Sequence, residues 1–425
     1  MSVGHLGTPA NSADVLISAG HKNFHLIFTA SELDKRRRLA GLITGAYPTA
    51  FEKAALQRWP ISRIQRLQKF AAREDKISPT RIYQSRLSEF LQLLSEFVYR
   101  IPGLDGLSKI LKQQAFRVYA TKSLHHLRKA AKQGARIYHF RAGLGQASID
   151  EARRLGLRTI CDHSIVHPAL VDVLVDNGGV LPEQRPKRPT GIWGSVLDDI
   201  ETADVVLVNS DFVAETFSYM GFDRSRISVI YQGLENKFIA RLPDARDYAS
   251  PKMQRPLRLL FAGQIVPRKG IDTLQAAMAA IPDVHVELAL AGSLLPTNSE
   301  RYHALLKDPR VHFHGRISQN ALAQLMSESD VFVFPTLAEG SARVVFEAMA
   351  AGCAVITTSN AGSVVRDGES GWIIPTKDPV ALVAALQDAL AHPEEVAARG
   401  HIARETVLSG FTQERYGERL EELYG

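Results

Sequence analysis

Between Val331 and Thr358 the chain reads VFVFPTLAEGSARVVFEAMAAGCAVITT, and the spacing of its apolar residues decides the fold. VFVFP and CAVITT are short runs of β-branched and aromatic residues, of strand length. SARVVFEAMA, between them, carries its apolar side chains at helical spacing. Strand, helix and strand in immediate succession describe an α/β chain with a parallel sheet. The loop TLAEGS then lies at a strand's carboxyl end and a helix's amino end, where open α/β sheets bind ligands. Two glutamates flank the start of that helix. Glu339 sits in the small-residue loop and Glu347 in the apolar helix. Carboxylates are seldom buried without partners.

The residue types around the loop suggest what those carboxylates meet. Backbone N–H groups of Ser341, Ala342, Arg343 and Val344 open the helix and favour an anion such as phosphate. Gly340, Ser341 and Ala342 are small enough to let a ligand come close. Glu339 is placed to accept hydrogen bonds from sugar hydroxyls, and Glu347 to reach a second hydroxylated ring such as ribose. Two carboxylates about a phosphate cradle describe a nucleotide-sugar. The plainer reading is that Glu339 complements the helix dipole and Glu347 is a partly exposed helix residue. Spacing alone does not separate the two.

A second strand-to-helix turn favours the first. FAGQIVPRKGIDTL (Phe261–Leu274) places Arg268 and Lys269 in the connecting loop and Gly270 at the helix start. Cations there neutralise a diphosphate leaving group. Around these turns the strand and helix rhythm is regular: LRLLFAG, VHVELALAG, VHFHG and GWIIP are further strands, and Ser318 is placed to cap the helix SQNALAQLMSES. DVLISAG, GLITG, RIYHF, RTICDH, DVVLVNS and ISVIYQG give a similar series in the first half. The Pro-bearing, polar stretch near Ala240–Pro256 separates the two patterns. In the tail FTQERYGERLEELYG, the residues Phe411, Tyr416, Leu420 and Tyr424 share a helical stripe.

The totals bound the class. A chain of 425 residues is too long for one ordinary core. Its two cysteines, Cys161 and Cys353, have no metal-type spacing and read as buried small hydrophobes. No apolar run is long enough to span a bilayer. The opening residues lack the layout of a secretory signal, so the expected place is the cytoplasm. The net charge of +6 is uneven: Phe51–Ala135 holds roughly 17 Lys and Arg against about 6 Asp and Glu. Such a region suits an anionic membrane face or an anionic substrate, or is simply a set of solvated helix faces.

Together, GQIVPRKG and AEGSARVVFEAMAAG resemble the retaining family 4 glycosyltransferases of the GT-B fold. VVLVNSDFVAETFSYMGFDRSRISVIYQGLENKF, VHFHGRIS and FTQERYGERLEELY resemble further segments of that family in order. The likeness is strong from about Asp204 onward and weak before it. It implies two Rossmann-like parallel-sheet domains facing a crevice. By boundary these are 1–240 on the acceptor side, a linker at 241–256, a donor domain at 257–408 and a closing helix at 409–425 that packs back on the first. It implies that Glu339 contacts the donor sugar, Glu347 the ribose, Lys269 the diphosphate, and the backbone from Gly340 to Val344 both sugar and phosphate. Gly315, Arg316 and Ile317 would lie against the base. Arg268 and Gln264 share the phosphate-side loop. Gln264 stands where members carry arginine, and Ser341, Ala342 and Arg343 stand where they carry bulkier residues.

In the first half, His139 at a strand end matches a histidine that faces the donor sugar in related enzymes, with Asp162 and His163 as weaker candidates. Gly20, His21 and Lys22 follow the first strand, where the family has a loop beside the phosphates. The donor would be a UDP- or GDP-linked sugar, and the acceptor a glycan or lipid-linked glycan of surface-polysaccharide assembly. The resemblance implies no cofactor, no metal, no nucleic acid, and a cytoplasmic enzyme with a peripheral seat on the inner membrane face. The same type of fold also serves nucleotide-sugar epimerases and non-catalytic glycan-binding proteins. A further alternative is an NAD-dependent dehydrogenase. GLGQAS, with Gly143 and Gly145 after a strand and Asp162 at the end of the next, resembles a dinucleotide fingerprint, although Ser148 replaces its third glycine.

Overall fold

The computed structural model describes residues 13–21, 25–48, 50–56, 77–243, 255–281 and 285–425. Lys22, much of the expected linker (244–254) and part of the basic region (57–76) lie outside them. Two sheets organise the chain. The first contains β1 (Val15–Gly20), β2 (Leu39–Thr44), β3 (Ile82–Gln84), β4 (Ile137–Arg141), β5 (Arg158–His163), β6 (Val205–Val208) and β7 (Ile227–Val229), in the order β3-β2-β1-β4-β5-β6-β7. Its pairings from β3 through β5 run parallel. The second contains β8 (Leu257–Ala262), β9 (Val286–Ala291), β10 (Val311–Gly315), β11 (Val331–Phe334), β12 (Ala354–Thr357) and β13 (Gly371–Ile373), in the order β10-β9-β8-β11-β12-β13, all parallel. Two doubly wound α/β sheets are the architecture that the alternating pattern predicts.

Strands β1, β11 and β12 are buried at every position. That is why they read as unbroken apolar runs without alternation: a parallel sheet is covered on both faces. By compactness the chain divides into one unit of Met1–His163, Pro189–Leu207 and Tyr424, and another of Ser164–Arg188, Val208–Leu423 and Gly425. The core of the second unit packs Phe261, Phe332, Phe334 and Phe346 among aliphatic residues of the sheet and its helices. Cys353 and Cys161 are both fully buried, in line with their reading as small hydrophobes. The final helix, Gln413–Tyr424, is capped by Thr412, and it buries the predicted Tyr416, Leu420 and Tyr424.

In the first unit the loop GLGQAS shows why a glycine-rich turn is weak evidence for a bound dinucleotide. The amides of Gly143, Gly145 and Gln146 all donate to the Asp199 carboxylate, each at 2.7 Å. Asp199 comes from the helix Gly191–Thr202 and is 2% exposed. Burial pushes its pKa up while the three amides pull it down, and burial prevails. The nest that a phosphate would fill is occupied by the protein's own carboxylate. Replacing it would strand three N–H donors in a partly buried turn. We therefore expect Asp199→Ala to lower unfolding free energy by about 2–4 kcal/mol. Urea denaturation checks this; a loss below about 0.5 kcal/mol would mean that the turn is held by other contacts.

Candidate active site

The site is built where the ends of β8 and β11 approach each other in the second unit. After β8 the chain makes a short 3-10 turn, Pro267–Lys269, and enters the helix Ile271–Ala280 through Gly270. Gly270 has a φ of 75°, and a Cβ there would lie 1.8 Å from the Pro335 carbonyl oxygen. Only glycine permits both the left-handed backbone and the close approach. The two loops are then laced together. Leu337 N–H donates to the Arg268 carbonyl at 2.9 Å, as does the Thr336 hydroxyl at 3.0 Å. Arg268 Nη1 returns a bond to the Ala338 carbonyl at 2.7 Å.

This lacing brings three predicted residues together. Glu339 Oε1 accepts from Arg268 Nη1 at 2.6 Å and from Lys269 Nζ at 2.5 Å, with Thr336 Oγ1 at 3.3 Å. The Glu339 and Lys269 side chains are mostly buried, whereas Arg268 is 42% exposed. Burial lowers the Lys269 pKa, and Glu339 opposes the shift. The ammonium also lies 5.1 Å from the centre of the Phe334 ring. A lysine desolvated in this way retains a strong pull on any anion that reaches it.

The helix Arg343–Ala350 opens beside this cluster. Sequence reasoning gave four amides to an incoming anion. The Ala342 amide instead donates to the Ala361 carbonyl at 2.9 Å, so it serves the fold. Those of Ser341, Arg343 and Val344 have no protein acceptor among the described residues. Gly340 has a structural reason of its own, since a Cβ would lie 1.9 Å from the Ser164 carbonyl oxygen.

A cavity of about 540 Å³ opens at this point. Of the predicted residues, Lys269, Arg316, Ile317, Glu339, Ser341, Ala342, Arg343, Val344 and Glu347 line it; Gln264, Arg268, Gly315 and Gly340 do not. Gln264 is exposed. The sequence reading missed Ala262, Gly263, Ala291, Gly292, Gln319 and Leu322, which complete the lining. A signal for four of them was present: β8 and β9 are neighbours, and each runs into an Ala-Gly pair. It also missed Glu235, whose carboxylate pairs with Arg343 at 2.6 Å.

His139, Gly20 and His21 belong to the first unit and do not line this cavity. His139 is completely buried in β4, with Nδ1 2.7 Å from the Tyr424 hydroxyl and Nε2 3.4 Å from Asp162. Burial alone would raise the Asp162 pKa, but His25, at 2.6 Å, and His139 hold it well below the usual range. The Gly20 amide donates to the Tyr119 hydroxyl, and His21 Nε2 lies 3.0 Å from Ser88 Oγ.

Glu347 has the most unfavourable position in the cavity. It is 8% exposed, and its side chain has no hydrogen-bond partner among the described residues. Burial pushes its pKa from 4.5 to about 7; Arg343 pulls the other way and Glu235 adds to the rise. Because the folded-state value is the higher one, the folded protein favours the protonated form. The associated stability is complete below about pH 4.5 and is lost as pH rises through about 7. Glu347→Gln keeps the shape of the protonated form at every pH. We expect it to stabilise the unliganded protein by about 2–3 kcal/mol at pH 8 and hardly at all near pH 4.5. Denaturant titrations at the two pH values check this, and an equal effect at both would show that the carboxylate is not strained.

Comparison with known proteins places this geometry. The family profile described as Glycosyl transferases group 1 matches residues 256–392, which carry the whole of the cavity lining. The D-inositol 3-phosphate glycosyltransferase of Mycolicibacterium gilvum is 28% identical over 236 residues, 53% of this chain and 53% of that protein. The GDP-mannose-dependent alpha-(1-6)-phosphatidylinositol monomannoside mannosyltransferase of Mycolicibacterium smegmatis is 28% identical over 237 residues, 52% of this chain and 62% of that one. The chain thus spans about half the length of the curated relatives it matches. Among solved structures, HepE of Anabaena in complex with UDP and glucose shares the fold at a TM-score of 0.60 and 15% identity, covering 97% of this chain and 99% of that one. Sucrose-phosphate synthase from Thermosynechococcus elongatus does so at 0.64 and 21%, covering 97% and 98%. Over residues 256–392 the chain thus resembles the glycosyl transferases group 1 family.

Proposed function

We propose that this protein is a retaining, metal-independent glycosyltransferase that moves a sugar from a UDP- or GDP-linked donor to a glycan or lipid-linked glycan. The observation that carries the reading is the cavity in which Lys269, Glu339, Glu347 and the start of the helix Arg343–Ala350 converge. Its chemistry suits a nucleotide-sugar along its whole length. Glu347 accepts hydrogen bonds from the ribose hydroxyls. Lys269 and the amides of Ser341, Arg343 and Val344 bind the diphosphate. Glu339 orients the sugar hydroxyls. Arg316, Ile317, Gln319 and Leu322 supply the polar and apolar wall for the base. Relatives and fold neighbours whose names include UDP, GDP-mannose or glucose support the donor class.

In the reaction the bond between the anomeric carbon and the leaving diphosphate oxygen breaks. Negative charge grows on that oxygen, where Lys269 and the helix amides stabilise it. The acceptor hydroxyl forms its bond on the same face, and its proton passes to the departing phosphate oxygen. No protein nucleophile is needed. The positive charge that a metal would otherwise bring comes from Lys269 and the amide dipoles, so activity is expected to survive treatment with a chelator. A surface-polysaccharide pathway at the cytoplasmic face of a membrane suits a lipid-linked acceptor.

The test is release of nucleoside diphosphate from a panel of UDP- and GDP-sugars, with and without chelator. Turnover of one donor class is expected; no release from any, with binding of NAD instead, would overturn the reading. Glu339→Gln should lower turnover by about 2–4 kcal/mol of barrier, roughly 30- to 1,000-fold. Near-normal turnover in the folded variant would remove Glu339 from the reaction. In calorimetric titration with the preferred nucleoside diphosphate, Lys269→Ala should lose the most affinity. Arg268→Ala should lose measurably less, since its guanidinium is already engaged by Ala338 and Glu339. Gln264→Ala, an exposed neutral position, should hardly change it. A tenfold loss, about 1.4 kcal/mol, in Gln264→Ala alone would reverse that assignment.

A further inference from the structure

Glu339 lies in the loop between β11 and the helix Arg343–Ala350, and a loop fixes a side chain only as well as its own main chain is held. On one side Arg268 does the holding: its carbonyl accepts from the Leu337 amide and its guanidinium donates to the Ala338 carbonyl. On the other side the main contact is a single residue. Asn360, in the short 3-10 turn Ser359–Ala361 after β12, is buried. Its carbonyl accepts from the Glu339 amide at 2.9 Å. Its side-chain Nδ2 donates to the Leu337 carbonyl at 2.7 Å and to the Gly179 carbonyl at 2.6 Å. Asn360 therefore bonds the loop at Glu339 itself and two residues before it.

The chemistry of this contact admits few substitutes. Two carbonyl oxygens are both satisfied only by a group with two N–H donors, so the amide nitrogen of Asn360 faces them. Its Oδ1 accepts instead from the Ser359 hydroxyl at 3.3 Å. An aspartate of the same shape would set a carboxylate against both carbonyls. Gly179 comes from the segment Ser164–Arg188, which is part of the second unit. It has a φ of 88°, and a Cβ there would lie 2.7 Å from the Leu337 carbonyl oxygen and 3.0 Å from Asn360 Nδ2. Glycine thus lets that segment come near enough to share the amide. The contact bears on Glu339 because that side chain uses Oε1 alone for Arg268, Lys269 and Thr336. Its Oε2 has no protein partner among the described residues and remains for a ligand. Where that oxygen lies follows from the backbone at Glu339, which Asn360 bonds directly. Asn360 itself does not line the cavity.

We propose that Asn360 is a positioning residue for the transfer step: through the Leu337 carbonyl and the Glu339 amide it holds the Glu339 carboxylate in place against the donor sugar, without touching the donor. The inference rests on the role proposed for Glu339. Its test measures kcat, donor KM and calorimetric affinity for UDP or GDP, whichever the donor panel releases, in Asn360→Ala and Asn360→Asp. In both, kcat should fall about tenfold or more, because a small misplacement of a working group is costly. Donor KM and nucleoside-diphosphate affinity should stay within about threefold, since that binding is assigned to Lys269, the helix amides and Glu347. A loss of affinity that matches the loss of kcat would show a general structural role and overturn the inference. A double-mutant cycle supplies the second readout. On a Glu339→Gln background, Asn360→Ala should cost less than about twofold further, because a residue that acts through Glu339 has nothing left to position. Losses that simply multiply, or full turnover in a folded Asn360→Asp protein, would overturn the inference and leave the transfer reaction standing. Failure of both Asn360 variants to fold, seen as a lost thermal transition, would do the same by assigning Asn360 to the fold alone. Normal turnover in Glu339→Gln is a different outcome: it removes the role of Glu339, and the inference falls with it.

Discussion

The close approach of two backbone turns governs this molecule. Gly270 lies directly against the Pro335 carbonyl, at a distance no side chain could tolerate. Because those turns touch, Arg268 and Lys269 from the end of β8 reach one oxygen of Glu339 from the end of β11. Neither Lys269 nor Glu339, both mostly buried, would be stable there alone. Their pairing offsets much of that cost, and it fixes the positions of the groups to which the proposed chemistry is assigned. The Leu337 amide and the Thr336 hydroxyl, donating to the Arg268 carbonyl, and the Arg268 guanidinium, donating to the Ala338 carbonyl, hold the same arrangement. These bonds preorganise the site, which suits the stabilisation of developing charge in the proposed reaction.

Glu347 shows the opposite design a short distance away. Glu339 has two cations; Glu347 has burial, the partial attraction of Arg343 and the repulsion of Glu235. Arg343 compensates only part of the burial, and a glutamine would suit the unliganded core better. Residues that work against stability are a recurrent mark of binding sites. The two carboxylates of the opening motif thus have different physical characters, although the sequence presents them as a pair.

Much of this was legible in the residues. The unbroken apolar runs of β11 and β12 announced a covered parallel sheet, and the turn chemistry around Lys269 and Glu339 located the cavity. What escaped depends on long-range contacts. Nothing in the local sequence tells that the Ala342 amide is committed to Ala361, or that Glu235, over a hundred residues earlier, faces Arg343. The Ala-Gly endings of β8 and β9 were visible, but their joint place in the cavity wall needs the sheet order to bring them side by side. Asp199 is the sharpest instance. GLGQAS has the composition of a phosphate loop, yet a carboxylate some fifty residues later in the chain fills it.

That loop and the start of the helix Arg343–Ala350, proposed as an anion site, differ in what their amides meet. Both offer backbone amides beside glycine, and both adjoin a strand end. In GLGQAS the amides converge on an internal acid, so the protein has supplied its own anion and the turn is complete as it stands. Ser341, Arg343 and Val344, whose amides have no protein acceptor among the described residues, line a cavity that also presents a desolvated lysine. Glu339, the acid nearest to that lysine, is held through one oxygen by two cations and makes no bond to these amides. The first arrangement is saturated. The second leaves amide donors without a protein acceptor beside two cations that share one carboxylate oxygen, which suits the diphosphate proposed as its ligand.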